Sequence, residues 1–212
     1  NANVLSVGAT GAGSGYYQGT SGTPHIENNI ICDHTVAGSD GVGLYAAGAL
    51  TIGYNCLSHN AGGNYNGTVT SQFEQAADPR LVDPALGDFG LRYDSPCIEA
   101  GNPATAVPAN GAWRVDIGAV EYTGTRHLRD ISGAGEYLFG GRVKAKVNVV
   151  DPGTLARLDL FVFPGERHPL APGSVRRYYT IDATGTVGLF DLTLSYLDEE
   201  LGLRHRRTQE ES

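Results

Sequence analysis

Through residue 72 the apolar residues come in runs of two to four separated by Gly, Asn, Asp and Ser, and no stretch carries the 3.6-residue spacing of a helix. Short strands joined by tight turns are predicted. The pattern also repeats. Asn3-Val4-Leu5, Asn29-Ile30-Ile31 and Asn55-Cys56-Leu57 follow one another at 26-residue intervals, Ile26 recurs as Ile52 at the same interval, and Gly13-Ser14-Gly15-Tyr16-Tyr17 recurs as Gly41-Val42-Gly43-Leu44-Tyr45 at 28. Small loop insertions inside a fixed period explain the mismatch.

Stacking such units about 4.8 Å apart lets the backbone of each strand pair with the next copy of itself. A repeated Asn tolerates a left-handed turn and hydrogen-bonds the Asn above and below it, so Asn3, Asn29 and Asn55 are assigned to a structural ladder. The expected fold is all-β: the terminal coils of a right-handed parallel β-helix. From residue 73 the repeat gives way to a denser series: Asp78-Pro79-Arg80-Leu81-Val82-Asp83-Pro84, Gly87-Asp88-Phe89-Gly90-Leu91, Ser95-Pro96-Cys97-Ile98-Glu99-Ala100-Gly101 and Asp116-Ile117-Gly118-Ala119-Val120-Glu121-Tyr122. Over residues 25–122 this order resembles the C-terminal end of bacterial right-handed β-helix repeat proteins related to the pectate-lyase-like fold. It departs from their pattern at Cys97 and Val120. The resemblance implies a cap. Phe89, Leu91, Ile98, Ile117 and Val120 would then close the core, while Asp78, Asp83, Asp88 and Asp116 bond turn amides. Calcium on these acids is the alternative, but Asp-Pro and Gly-Asp are ordinary turn pairs and no spacing matches a calcium loop. No cofactor or metal is assigned.

Beyond residue 124 the composition changes, with 12 of the 15 basic residues and 12 acidic ones lying in 125–212. Residues 1–124 are read as coils and cap, residues 125–212 as a second domain. There Arg142–Val149 and Leu158–Phe163 alternate strictly around Asp151-Pro152-Gly153, which predicts a hairpin, and Tyr178–Ala183 and Leu189–Tyr196 supply two more strands across Gly185-Thr186. The expectation is a small antiparallel β-sandwich, incomplete and with an exposed edge. The segment resembles β-domains that follow repeat regions in secreted bacterial multidomain proteins.

Charge narrows the function. The net charge of −8 argues against a nucleic-acid partner, and no apolar run is long enough to span a membrane. Residues 1–79 hold no Lys or Arg, whereas the resembling polysaccharide lyases use Lys or Arg as base. Clustered aspartates of the glycoside-hydrolase kind are missing too. No catalytic residue is assigned. The most reactive set is Asp33, His34 and His59, because the period places Asp33 under His59; a solvated turn, with Asn60 over His34 and Ser58 over Cys32, is the plainer account. Cys32 and Cys56 are 24 residues apart, out of step with the period. Tyr16, Tyr17 and Tyr45, with Tyr54 and Tyr65, would line one coil face and stack on sugar rings, or simply be half-buried strand aromatics. The sequence has no Met and reads as a mature piece or a fragment. A non-catalytic extracellular or cell-surface module is expected, touching a polysaccharide or a cell-surface component at Tyr16, Tyr17, Tyr45, Asp33, His34 and His59. The alternative is the C-terminal part of a polysaccharide lyase or glycoside hydrolase whose catalytic coils lie upstream.

Overall fold

The computed structural model describes residues 4–7, 16–18, 22, 24–35, 42–108, 113–196 and 200, with residues 4–7 and 16–18 followed along the backbone alone. These residues are all-β, with a 3-10 turn at Pro84–Leu86 and no α-helix. Packing divides the chain into Asn1–Tyr122 and Thr123–Ser212.

The first unit contains β1 (Val4–Val7), β2 (Tyr16–Gln18), β3 (His25–Glu27), β4 (Ile30–Cys32), β5 (Leu44–Gly53), β6 (Cys56–Ser58), β7 (Tyr65–Gln72), β8 (Leu81–Asp83) and β9 (Asp88–Leu91). β1, β4 and β6 make a parallel sheet in which Val4 faces Ile30 and Ile30 faces Cys56, the 26-residue step read from the sequence. A second parallel sheet centres on β5. β2 lies beside one end of β5, with Tyr17 facing Tyr45 at a step of 28, and β3 beside the other, with Ile26 facing Ile52 at 26. β7 returns along β5 at shorter steps of 21 and 19, with a bulge between Ala46 and Leu50 that absorbs the change. β8 and β9 pair antiparallel, so the unit's small sheets mix both senses.

Ile30, Ile31 and Cys32 are all fully buried. Successive side chains on a strand point to opposite faces, so such a run requires cover on both sides. Ile31 and Leu57 pack with Leu44, Leu50 and Ile52 of the β5 sheet, while Ile30, Cys32 and Cys56 pack with Leu91, Cys97, Ile98 and Ile117. The series after residue 73 therefore covers a flank of the β1-β4-β6 sheet. Of the five residues expected to close the core, Leu91, Ile98 and Ile117 are buried, Phe89 is half-buried and Val120 is exposed.

The second unit contains β10 (Arg126–Asp130), β11 (Gly135–Phe139), β12 (Ala145–Asp151), β13 (Arg157–Pro164), β14 (Arg177–Thr184) and β15 (Leu189–Leu194). They form two three-stranded antiparallel sheets, β10-β13-β14 and β11-β12-β15, around Phe139, Val143, Val147, Val149, Leu158, Leu160 and Val162. The alternation predicted for β12 and β13 holds, but the hairpin does not: the two strands lie in different sheets. Asp151–Gly153 instead carries the chain from one sheet to the other, as the segment after β14 does in turn. The two crossings bind each other, Thr154 N–H donating to Thr186 O at 3.0 Å and Thr186 N–H to Thr154 Oγ1 at 2.8 Å. Gly185, at φ +104, lies so close that a Cβ would sit 2.1 Å from Thr154 O. A turn signature fixes a reversal of direction, and pairing is decided by the nonlocal core.

Candidate functional site

Two columns of hydrogen-bonded polar residues run through the first unit. In the first, Asn55 Oδ1 accepts from Asn29 N–H at 3.0 Å and from Asn29 Nδ2 at 3.1 Å, while Asn55 Nδ2 donates to Ile26 O at 3.0 Å. This is the expected amide ladder; Asn3 lies outside the described residues. The next rung is Glu74, whose carboxylate accepts from Asn55 N–H at 3.1 Å and Nδ2 at 3.3 Å. Burial pushes the Glu74 carboxyl up to about 7, against the opposing pull of its Asn55 hydrogen bonds.

Five residues further along, the same geometry recurs. Asn60 Oδ1 lies 3.4 Å from His34 N–H and 2.7 Å from His34 Nδ1, and Asn60 Nδ2 donates to Ile31 O at 3.1 Å and to Asn64 Oδ1 at 3.2 Å. The expected stacking of Asn60 over His34 is present, but the expected solvation is absent, since His34 is 1% exposed. The sequence placed Asn60 over His34 but as a solvated turn, so the burial of the pair and its role as a second ladder were missed. Its signal was spacing, because His34 and Asn60 stand five residues after Asn29 and Asn55.

Each rung follows a residue in the left-handed region: Asn28, Tyr54 and Phe73 precede the first column, at φ 60, 55 and 57°, and Asp33 and His59 the second, at 61 and 54°. The two tasks expected of one repeated Asn are thus split between neighbours. Turn geometry belongs to the first residue and the ladder to the second. His59 Nδ1 lies 3.4 Å from Asp33 Oδ1, with both side chains about half exposed. The period does bring Asp33 and His59 together, while His34 is turned inward into the ladder.

The tyrosine strip is divided by register. Tyr17 faces Tyr45, but Tyr16 faces Leu44, which is fully buried. Tyr16 therefore occupies a different column from Tyr17 and Tyr45. Tyr45 is half-buried and is followed in its column by Asn66. Another aromatic pair lies elsewhere. Tyr54 and Phe73 stack with ring centroids 4.9 Å apart and planes 17° apart, Phe73 is 67% exposed, and the Arg114 guanidinium stands 5.3 Å from the Tyr54 ring centre.

All four aspartates expected to bond turn amides do so. Asp78 accepts from Arg80 N–H at 2.8 Å, Asp83 from Leu86 N–H at 3.3 Å, Asp88 from Gly90 N–H at 3.0 Å, and Asp116 from Glu99 N–H at 2.7 Å and Tyr122 N–H at 2.6 Å. Burial pushes the Asp116 carboxyl up to about 7. Among the described residues no three His, Cys, Asp or Glu side chains are grouped to hold a metal ion, and no helix is long and apolar enough to cross a membrane. No family model, curated protein or solved structure matches this chain.

Proposed function

We propose that residues 1–124 are the terminal coils and cap of a right-handed parallel β-helix, that residues 125–212 form a β-sandwich-like domain, and that the protein is a non-catalytic extracellular or cell-surface module contacting a neutral saccharide. Parallel registers that step by 26 residues, and two hydrogen-bonded ladders at that step, support the fold reading. The functional reading is carried by the Tyr54–Phe73 stack. Asn28 shows what the left-handed position ordinarily takes, whereas a bulky side chain there is strained by about 1–2 kcal/mol. The stack returns about 1 kcal/mol of that and leaves one ring largely in water on a rigid backbone. Such a ring suits the apolar face of a sugar. Residues 1–79 supply no Lys or Arg, and the guanidinium beside the stack, Arg114 at 5.3 Å from the Tyr54 ring centre, already donates to Gly101 O and Ala100 O, which disfavours uronates and sulfated glycans there. Asp33, His34 and His59 are accounted for by turns and a ladder, so no acid–base pair is assigned a reaction.

Binding of neutral and uronate-bearing oligosaccharides to the intact chain and to Phe73→Ala tests this. Weak binding of a neutral glycan is expected, reduced about fivefold in the variant. No binding, or equal binding by the two proteins, would overturn the reading. Release of new reducing ends or unsaturated uronates would establish the polysaccharide-degrading alternative.

A further inference from the structure

Cys32, Cys56 and Cys97 are all fully buried and share one apolar cluster with Ile30, Leu91, Ile98 and Ile117. Three thiols in one small core are not required for packing, which any small apolar side chain would serve. Their arrangement is unequal. Cys32 faces Ser58 across β4 and β6 while Cys56 faces Ile30, so these two are displaced along the strands by two positions, a poor geometry for a bond. Cys97 instead enters from the covering segment and joins Cys56 in the buried cluster, and both are tied to one short stretch of chain: Cys56 Sγ lies 3.3 Å from Ala77 O, and Ser95 Oγ, which accepts from Cys97 N–H, donates to Pro79 O at 2.5 Å.

Both backbones are held in place. Cys56 N–H donates to Asn29 O at 2.8 Å and Cys56 Sγ to Ala77 O at 3.3 Å; Cys97 N–H donates to Ser95 Oγ at 3.1 Å and Cys97 O accepts from Ile117 N–H at 2.9 Å. We propose that Cys56 and Cys97 are a disulfide-forming pair that fastens the covering segment to β6, with Cys32 left as a thiol.

The two thiols lose two protons and two electrons as the S–S bond forms. A small-molecule disulfide such as oxidised glutathione takes both: one cysteine thiolate attacks it to give a mixed disulfide and release one thiol, and the second cysteine displaces the other. Burial pushes the Cys32 thiol up, and the neighbouring Cys56 thiol together with burial pushes Cys97 well up, so in the folded protein the attacking thiolate is scarce. Oxidation therefore belongs to folding, before the cluster is sealed.

The test needs no substitution. The full chain is refolded with reduced and oxidised glutathione, unfolded in denaturant with an alkylating agent, and mapped by mass spectrometry. One alkylated thiol, at Cys32, and a cross-linked peptide joining Cys56 to Cys97 are expected. A control oxidised in denaturant gives the bias of the unfolded chain. There Cys32 and Cys56, 24 residues apart, close more readily than Cys56 and Cys97, 41 apart, by about twofold. A reversal of that preference on refolding attributes the bond to the fold. Three alkylated thiols after oxidative refolding, or a cross-link to Cys32 as the main product, would overturn the proposal. A Cys32→Ala variant checks it separately: it should refold to a monomer with no free thiol, and two free thiols would count against the pair.

Discussion

Glu74 occupies the rung after Asn55, accepting both its backbone N–H and its Nδ2, so a carboxylate ends a ladder that amides begin. An amide rung has a donor to pass on and a carboxylate has none, which suits the last position. Burial raises this carboxyl to about 7 from an ordinary value of 4.5. A group bound more tightly to its proton when folded stabilises the fold fully below the unfolded value, and that contribution is lost as pH rises through the folded one. Between pH 5 and 8 the first unit should therefore lose stability. Glu74→Gln, which keeps an acceptor and never ionises, should lose less, by about 1 kcal/mol after allowance for solvent screening. Asp116 shifts in the same direction but is present in both proteins. Urea midpoints followed by the fluorescence of Trp113, the one tryptophan, report the difference, and equal pH slopes would refute it.

Asn55 bonds both ways along the column. Asn55→Ala would take one partner from Asn29, whose Nδ2 keeps Glu27 O, and one each from the carbonyl of Ile26 and the Glu74 carboxylate in a buried place. A loss of about 2–3 kcal/mol is expected from taking a partner from several polar groups at once. Asn55→Asp keeps the acceptor but sets a second carboxylate beside Glu74. It should be worse at pH 8 than at pH 5, again read from Trp113 fluorescence in urea.

The 26-residue step was legible because Asn-apolar-apolar triplets keep their chemistry from one pass to the next. Tyr17 over Tyr45 was legible at 28 for the same reason. Glu74 as a rung and the burial of His34 were not, since a ladder position requires a donor or acceptor in place and not one residue type, so the role escapes a search for repeated letters. The hairpin between β12 and β13 failed differently. Alternation shows that Val147 and Leu160 face a core, but it is silent on which neighbour each strand pairs with. The covering role of residues 91–117 was visible as an apolar series. Its target, the flank formed by Ile30, Cys32 and Cys56, depends on two sheets meeting.

His34 and His59 are alike in the sequence and opposite in the fold. His34→Ala would remove a buried ring from Asn60 and should cost about 2–3 kcal/mol. His59 is half exposed, paired with Asp33 at 3.4 Å, and held at φ 54°. An exposed pair contributes well under about 1 kcal/mol, and Asn tolerates the left-handed region better than His. His59→Asn should therefore fall within about 0.5 kcal/mol of the parent. Chemical denaturation of both variants decides; a large loss at His59 would mean its side chain supports more than a turn.

The second unit offers a test of register against burial. Across β12 and β15, Val147 faces Leu192 and Val149 faces Phe190, so in an antiparallel pair all four project from the same side of the sheet. Yet Val147 and Val149 are 1% exposed, whereas Leu192 and Phe190 are 38% and 39% exposed. The β10-β13-β14 sheet repeats the contrast, with fully buried Leu160 facing Ile181 at 37%. Inward direction alone does not bury a side chain; atoms must stand opposite it, and at the β14 and β15 edges they thin out. Truncation should cost little where they are few. Leu192→Ala is expected to lose about 1–2 kcal/mol, because more than a third of its surface still meets water when folded and truncation there leaves no closed cavity. Leu160→Ala, of the same chemistry in a closed part of the core, should lose about 2–5 kcal/mol. Urea unfolding of the two variants followed by circular dichroism makes the comparison. Equal losses would show that Leu192 is covered in solution, and that the edge is closed by something other than the described strands.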